Sequence, residues 1–201
     1  MNTVILTIIA YLFGALPFGL LVANTRGVDI RSQGSGNIGA TNVYRCVGKG
    51  WGILTLLLDA LKGFIPAFVF PMAGDFDPGY GVLFGIAAII GHTFPVYLRF
   101  KGGKGVATSA GVFLGVAPLA VSVAIACWAV CLAVSRYVSL SSIVAAIAVA
   151  ISVWALGDKA LVVKLAITLM SVLVIWLHRA NIKRLLNGTE SRFGKKSGDN
   201  A

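Results

Sequence analysis

The sequence predicts an all-α membrane protein, a seven-transmembrane-helix bundle with a broken pair of short helices near Pro118. Composition is the first reason, because 58% of the 201 residues are hydrophobic and 12% are charged, with a mean hydropathy of +0.90. The second reason is that the apolar residues form long runs. The third is that the 17 bases, against 7 acids, lie mostly between those runs. This placement argues against nucleic-acid binding and favours contact with anionic lipids or an anionic substrate.

Five apolar runs are each close to the roughly 20 residues that one helix needs to cross a bilayer. They are Val4–Ala23, Trp51–Met72, Tyr80–Leu98, Val138–Leu156 and Leu161–Leu177. A sixth run, Ala107–Val134, has 28 residues and is interrupted by Gly111, Gly115 and Pro118. We predict that this run breaks near Pro118 into two short helices, each about 20 Å long at a rise of 1.5 Å per residue.

The bases predict the orientation of the spans. Asn24–Gly50, Arg99–Val106 and the C-terminal tail are basic, whereas Ala73–Gly79 has two acids and no base. The positive-inside rule therefore places the N-terminus outside and, after seven crossings, the C-terminus in the cytoplasm. We predict one membrane domain over residues 1–196 and a polar tail at 197–201 that is compatible with an added sequence. The three cysteines indicate no disulfide framework.

Two glycine-rich, basic segments lie on the predicted cytoplasmic side. The first comprises Gly34, Ser35, Gly36, Asn37, Gly39, Thr41, Asn42 and Arg45. The second comprises Lys101, Gly102, Gly103, Lys104 and Gly105. Glycines allow consecutive backbone N–H groups to face an anion, and a nearby Lys or Arg adds charge that suits phosphate. One such segment is equally compatible with an ordinary loop, but two on one face favour a site for phosphorylated substrates.

A third polar segment, His178–Glu190, follows the last predicted span, and Ser142 lies at the same boundary. His178 and Asn181 are three residues apart and share a helix face, which Arg184 continues. His178 is a candidate general base because imidazole titrates near neutrality. An equally open alternative is that an oxygen of a substrate phosphate accepts the proton, in which case His178 only orients.

Two intramembrane features have structural explanations that we favour over functional ones. Asp59 and Lys62, three residues apart in one span, predict a buried ion pair, with support of the phosphate loops as the alternative. His92 precedes Pro95 by three residues and is expected to bond a backbone carbonyl that the proline frees. No two acids stand at metal-ligand spacing near the loops, so we expect neither a metal nor another cofactor.

Three segments together resemble the bacterial integral-membrane glycerol-3-phosphate acyltransferases that use acyl phosphate as the donor. They are GSGNIGATNVYR at Gly34–Arg45, GHTFPVYLRFKGGKGVAT at Gly91–Thr108 and HRANIKRLLNGTE at His178–Glu190, about a fifth of the chain. Tyr44 and Tyr97 stand where Leu and Phe would be expected in the family, and these conservative differences affect no candidate catalytic residue.

The resemblance implies transfer of an acyl group from acyl phosphate to the sn-1 hydroxyl of glycerol 3-phosphate. The products are lysophosphatidic acid and inorganic phosphate, in the first step of phospholipid synthesis. It also implies a multi-pass protein of the bacterial inner membrane, in contact with membrane lipids, whose active site faces the cytoplasm. Because acyl phosphate is already activated, we expect no covalent acyl-enzyme, and neither acyl-CoA nor a metal is implied.

The predicted catalytic residues are Ser35, Arg45, Lys104, His178 and Asn181. The residues predicted to bind substrate phosphates are Gly34, Gly36, Asn37, Gly39, Thr41, Asn42, Gly102, Gly103, Gly105, Ser142 and Glu190. Arg45 and Lys104 would stabilise charge on the departing phosphate. Ser35 is assigned to phosphate binding because no base is paired with it in the sequence. Glu190 would anchor a basic side chain or bind the glycerol hydroxyl.

A membrane transporter for an organic phosphate is the alternative function. Transporters usually place their sites at mid-membrane, between repeated halves with broken helices. Here the polar segments lie at one predicted surface and no internal repeat is visible, which favours an enzyme.

Overall fold

The computed structural model describes residues 2–157 and 159–194, so the predicted polar tail at residues 197–201 lies outside the described residues. The chain forms two compact units, Met1–Val116 and Ala117–Ala201. Every regular element within the described ranges is a helix, which confirms the prediction of an all-α protein.

The first unit contains α-helices, two pairs of which are joined by longer segments that hold the glycine-rich sequences, and prolines cause two of its irregularities. Its helices are α1 (Thr3–Gly14), α2 (Phe18–Asn24), α3 (Ala40–Cys46), α4 (Lys49–Phe64), α5 (Phe70–Ala73), α6 (Tyr80–Thr93) and α7 (Val106–Val116). Pro17 separates α1 from α2. Pro66, whose nitrogen cannot donate a hydrogen bond, lies in a π-helical turn, Ile65–Val69, between α4 and α5. A 3-10 turn, Val96–Leu98, follows α6.

The second unit contains four helices in its described part. They are α8 (Pro118–Ser135), α9 (Val138–Ala155), α10 (Leu161–Leu177) and α11 (Arg179–Leu186). Helix α9 packs against both α8 and α10, and α11 contacts α9 and α10. The second unit is therefore organised around α9.

Five segments are long and apolar enough to cross a membrane. They are Thr3–Asn24, Lys49–Ala73, Tyr80–Leu98, Pro118–Ser135 and Val138–Ala155. Helices α10 and α11 count as a sixth candidate span if they are taken together, although the chain bends by 53° between them. Helix α7 is apolar but has only 11 residues. The described residues thus hold five or six candidate spans, and the seventh crossing and the orientation stay predictions.

The predicted break near Pro118 is confirmed, but the two helices that flank it are unequal. Helix α7 ends at Val116 and α8 begins at Pro118, a position where the missing N–H costs nothing. At 1.5 Å per residue, the 11 residues of α7 span about 17 Å and the 18 residues of α8 about 27 Å. The expectation of two comparably short helices is therefore wrong, because α8 alone is long enough to be a span.

Small residues bring the helices of the first unit close together. A Cβ added at Gly63 on α4 would overlap the carbonyl oxygen of Thr108 on α7, and one added at Gly111 on α7 would overlap the carbonyl oxygen of Ala60 on α4. Backbone contact of this kind is typical of helices packed in a bilayer, where apolar side chains gain little by facing each other rather than lipid.

Large apolar side chains face outward on the candidate spans. Met72 is 67% exposed and Val134 is 82% exposed, whereas the polar Ser141 and Ser171 are buried. This distribution, with apolar groups outside and hydroxyls inside, fits a protein surrounded by lipid.

Candidate functional site

Asn42 organises the first glycine-rich segment. Its side chain lies on α3, is 2% exposed, and donates from Nδ2 to the carbonyl oxygens of Ile30 at 2.9 Å and Gln33 at 3.1 Å. Its Oδ1 accepts a hydrogen bond from the backbone nitrogen of Ser35 at 2.9 Å. Asn42 therefore fixes the path of residues 30–35, and direct binding of substrate by its side chain stays a prediction.

Two glycines of this segment adopt backbone conformations that other residues avoid. Gly34 has φ +59° and Gly36 has φ +68°, both in the left-handed region. A Cβ at Gly34 would also overlap Oδ1 of Asn42. Gly39, in contrast, has φ −79°, so its conformation alone does not require glycine.

The backbone N–H groups of the first segment are largely used within the segment. Ser35 donates to Asn42, Gly36 to the carbonyl of Gln33, Asn37 to Oγ of Ser35 at 3.4 Å, and Gly39 to Oδ1 of Asn37 at 2.8 Å. The expected nest of N–H groups open to an anion is therefore wrong for these four. The segment instead presents side chains: Ser35 and Arg45 are exposed, and Thr41 on α3 is partly exposed.

The second glycine-rich segment folds back onto the end of α6. The backbone nitrogens of Gly102 and Gly103 donate to the carbonyl oxygens of Thr93 and His92, each at 3.1 Å. Gly105 has φ +77° and precedes α7. The partly buried Lys104 lies between this turn and α7. The hydrogen bonds of Gly102 and Gly103 to the end of α6 therefore determine the position of the Lys104 backbone.

Beneath this loop, three ionisable side chains lie together inside the first unit. Nζ of Lys62 lies 2.8 Å from Oδ1 of Asp59, and both side chains are almost fully buried, which confirms the predicted ion pair. Lys62 also donates to the carbonyl oxygen of Leu16 at 2.6 Å. Nδ1 of His92 faces Oδ1 of Asp59 at 3.7 Å and makes no hydrogen bond within the described residues. The expected bond from this nitrogen to a carbonyl freed by Pro95 is therefore wrong.

Glu190 gathers the polar residues that follow the last span. Its Oε1 accepts hydrogen bonds from Oγ of Ser139 and Nδ2 of Asn181, and its Oε2 accepts one from Nε of Arg184, each at 2.7 Å. Asn181 and Arg184 thus share a helix face, as predicted, and Glu190 anchors a basic side chain. Burial raises the pKa of Glu190, but the three hydrogen bonds and the charge of Arg184 outweigh burial, so its pKa lies below the ordinary value of 4.5.

His178 lies at the bend between α10 and α11. Its side chain is 3% exposed, and Nδ1 lies 2.8 Å from the carbonyl oxygen of Val174, one turn earlier. Because a carbonyl can only accept, Nδ1 carries the proton in this contact, and Nε2 is the nitrogen able to accept one. No sequence pattern indicated a group that orients His178. Ser142, on α9, donates its hydroxyl to the carbonyl of Val138 at 2.8 Å.

Metal binding requires several grouped ligands, and reactivity of the Cys46 thiol requires a low pKa. Within residues 2–157 and 159–194, no three His, Cys, Asp or Glu side chains are grouped closely enough to hold a metal ion. Burial raises the pKa of Cys46, against the opposing charge of Arg45, which favours the protonated thiol.

Five or six helical segments that are long and apolar enough to cross a bilayer, within the described residues, define this chain as an integral membrane protein. Comparison with known proteins narrows this class to acyltransferases. The family described as "Glycerol-3-phosphate acyltransferase" matches residues 4–188, and the chain belongs to this family.

Individual relatives agree with this assignment. A glycerol-3-phosphate acyltransferase of Geobacter sulfurreducens is 51% identical over 193 residues, covering 96% of this chain and 98% of the relative. One from Brucella suis is 48% identical, covering 94% and 92%.

Two solved structures have the same fold. They are crystal structures of PlsY (YgiH), an integral membrane glycerol 3-phosphate acyltransferase, in its glycerol 3-phosphate and lysophosphatidic acid forms. Each is 42% identical and covers 96% of both chains, with TM-scores of 0.90 and 0.87.

Proposed function

We propose that this protein transfers an acyl group from acyl phosphate to the sn-1 hydroxyl of glycerol 3-phosphate. The observation that carries the proposal is the likeness to PlsY in its glycerol 3-phosphate form, with a TM-score of 0.90 over 96% of both chains. The products are lysophosphatidic acid and inorganic phosphate, as the first step of phospholipid synthesis.

The reaction is a single acyl transfer. The sn-1 oxygen attacks the carbonyl carbon of acyl phosphate, the bond from that carbon to the phosphate oxygen breaks, and inorganic phosphate leaves. The hydroxyl proton passes either to Nε2 of His178 or to an oxygen of a substrate phosphate. Since the donor is already activated, the enzyme needs mainly to hold two phosphates close together and to stabilise charge on the one that leaves.

The two glycine-rich segments supply the phosphate site in this proposal. Arg45 and Lys104 provide charge, and Ser35 and Thr41 provide hydroxyls. The remaining predicted residues of these segments give the loops their shape or line them; these are Gly34, Gly36, Asn37, Gly39, Asn42, Gly102, Gly103 and Gly105. In the third segment, Asn181 acts in catalysis beside His178, and Glu190 and, from α9, Ser142 contribute to substrate binding.

The proposed setting is the bacterial inner membrane, with the site facing the cytoplasm and one membrane domain over residues 1–196. Seven crossings, with the N-terminus outside, follow if the short α7 crosses in addition to all six candidate spans, with Leu161–Leu177 and α11 counted as one span. The basic loops support this orientation through the positive-inside rule.

The decisive experiment measures formation of lysophosphatidic acid, together with release of inorganic phosphate, by purified protein in detergent or lipid, with glycerol 3-phosphate as the acceptor. Acyl phosphate, acyl-CoA and acyl-carrier protein are compared as donors. We expect turnover with acyl phosphate alone, one phosphate for each lysophosphatidic acid, and a product acylated at sn-1. Turnover only with a thioester donor would refute the proposed donor, and a 2-acyl product would refute the proposed position.

A further inference from the structure

The ring of His92 lies between a buried ion pair and the second glycine-rich loop. On one side, Nδ1 faces Oδ1 of Asp59 at 3.7 Å, and Asp59 is paired with Lys62 at 2.8 Å. On the other side, the ring lies directly under Gly103, whose backbone nitrogen also bonds the carbonyl oxygen of His92. His92 thus contacts the loop through both its ring and its backbone.

The ring of His92 occupies the space that a side chain at position 103 would need, so this position requires glycine. The three atoms that a Cβ at Gly103 would meet first are Nε2, Cε1 and Cδ2 of the His92 ring. Gly102, one residue earlier, differs in this respect. A Cβ there would meet the backbone oxygens of His92 and Thr93 and the ring of Pro95, none of which belongs to the His92 side chain.

The Asp59–Lys62 pair is well placed to hold the ring in this position. Both side chains are almost fully buried, and Lys62 is further tied to the carbonyl oxygen of Leu16 between α1 and α2. Charges removed from water tolerate few alternative arrangements, because each movement leaves one of them without its partner. The ion pair therefore gives His92 a fixed, polar partner in the buried interior of the first unit.

We propose that Asp59, Lys62 and His92 form a buried positioning group for the second glycine-rich loop, and that Gly103 lacks a side chain to admit the His92 ring. The group acts through the loop that carries Lys104, so the proposal rests on the proposed function. These three residues touch no substrate in this proposal; they fix the backbone from which Lys104 reaches the phosphate. Displacement of a positioning element by about 1 Å can cost as much as 100-fold in rate.

A double-mutant cycle between His92 and Gly103 tests this assignment. We expect His92→Ala to lower kcat/KM by about 10- to 100-fold, with part of the loss in kcat. Gly103→Ala should cause a similar loss, because its methyl group displaces the ring. In the His92→Ala background the ring is absent, so adding Gly103→Ala should cost less than about twofold.

Gly102→Ala is the matched control, because its added methyl group meets backbone and the Pro95 ring whether or not the His92 ring is present. Its loss should multiply with that of His92→Ala, since the two changes are then independent. If the loss from Gly103→Ala also multiplies in the His92→Ala background, Gly103 serves ligand approach and the proposal is overturned.

A second variant tests the ion pair without leaving a lone buried charge. Asp59→Val combined with Lys62→Met is neutral, removes the polar atoms that face Nδ1 of His92, and should fold. We expect it to lower kcat/KM by about tenfold per folded enzyme, because His92 loses its partner. Thr55→Val, a buried change on the same helix, should keep the wild-type kcat and KM. Wild-type kinetics in the neutral double variant would overturn the positioning role of the pair.

The cycle is run with whichever donor the wild-type enzyme uses. Failure of the proposed donor would appear as an inactive wild-type enzyme with acyl phosphate. Failure of the positioning group would appear as an unchanged His92→Ala variant, or as independent losses at His92 and Gly103, in an enzyme that is otherwise active.

Discussion

At the scale of single residues, Arg45 and Lys104 carry the positive charge of the two glycine-rich loops. The N–H groups of Ser35, Asn37 and Gly39 form hydrogen bonds within the first glycine-rich segment. Stabilisation of a bound phosphate must therefore come more from charged side chains than from these N–H groups. We predict that Arg45→Ala and Lys104→Ala each lower kcat/KM by about 10²–10³-fold, roughly 3 kcal/mol, as expected for loss of a charged transition-state donor. Phosphate release by purified, monodisperse variants measures this.

Lys101→Ala is the matched control for these variants, since Lys101 is an exposed base of the same loop. It should stay within a few-fold of the wild-type rate. Near-wild-type turnover in Arg45→Ala or Lys104→Ala would remove that residue from the phosphate site.

His178 is one of two candidates for the group that accepts the proton of the attacking hydroxyl. Because Nδ1 is held by the carbonyl of Val174, Nε2 is presented in one orientation. If His178 is the base, His178→Ala should lose about 10²–10⁴-fold in rate and the low-pH limb of the pH profile should vanish. If a substrate phosphate accepts the proton, that limb should persist, since the second pKa of a phosphate group is about 6.

His178→Asn separates these two cases further. The amide keeps a hydrogen-bond donor but cannot accept a proton at neutral pH. Substantial activity in this variant would exclude His178 as the base and leave it an orienting role. The carbonyl of Val174 supplies the orientation that a base requires, so the geometry leaves both routes open to this test.

At the scale of elements, Glu190 links α9 to α11 through Ser139, Asn181 and Arg184. Its pKa is lowered in the folded protein, so its stabilising contribution is fully present above the unfolded value and is lost as pH falls through the lower folded value. We predict that Glu190→Gln lowers the melting temperature near pH 7. The difference from wild type should shrink as the pH is lowered below about 4.5.

Thermal melts in detergent between pH 7 and pH 3.5 measure this difference. Asp75→Asn is the control, because Asp75 is an exposed acid in the Ala73–Gly79 loop and its loss should leave the pH dependence unchanged. A Glu190→Gln variant that melts at the wild-type temperature at pH 7 would contradict the role of Glu190 as a link.

At the scale of the whole molecule, the number of crossings decides on which side the C-terminal segment lies. We predict that Pro78 is outside and Thr189 inside, because seven crossings place them on opposite sides. Single cysteines at these positions, in a variant without Cys46, Cys127 and Cys131, are exposed to a membrane-impermeant thiol reagent. Pro78→Cys should react in intact cells and Thr189→Cys only after permeabilisation. Reaction of both from the same side would refute seven crossings.

The parts of this fold that were predictable have local causes. Pro118 indicates a break because proline cannot continue a helix from the preceding turn. Asp59 and Lys62 predict an ion pair because side chains three residues apart lie on the same face of a helix. The bend at His178 has no such signal, since neither proline nor glycine is near it. The contact of His92 with Asp59 joins two helices, and that of Asn42 with Ile30 joins a helix to a distant loop, so spacing in the sequence could not reveal either.

The site was predictable in its residue types more than in their roles. The glycine patterns marked two polar loops, and Gly34, Gly36 and Gly105 within them have left-handed backbone in the structure. The patterns could not show that the side chains of Asn37 and Asn42 would accept hydrogen bonds from N–H groups that we expected to face an anion. Such competition depends on the three-dimensional path of the loop, because side chains of Asn readily replace backbone partners in turns.

The bond from Lys62 to the carbonyl of Leu16 has a consequence for how the protein is made. A lone lysine at the centre of a membrane helix costs about 2.5–3.5 kcal/mol during insertion. Asp59 on the same turn lets α4 enter the bilayer with its charges already paired. Since Leu16 precedes α4 in the chain, its carbonyl has been synthesised before Lys62. The same contact that fixes the finished enzyme therefore also favours co-translational assembly in chain order.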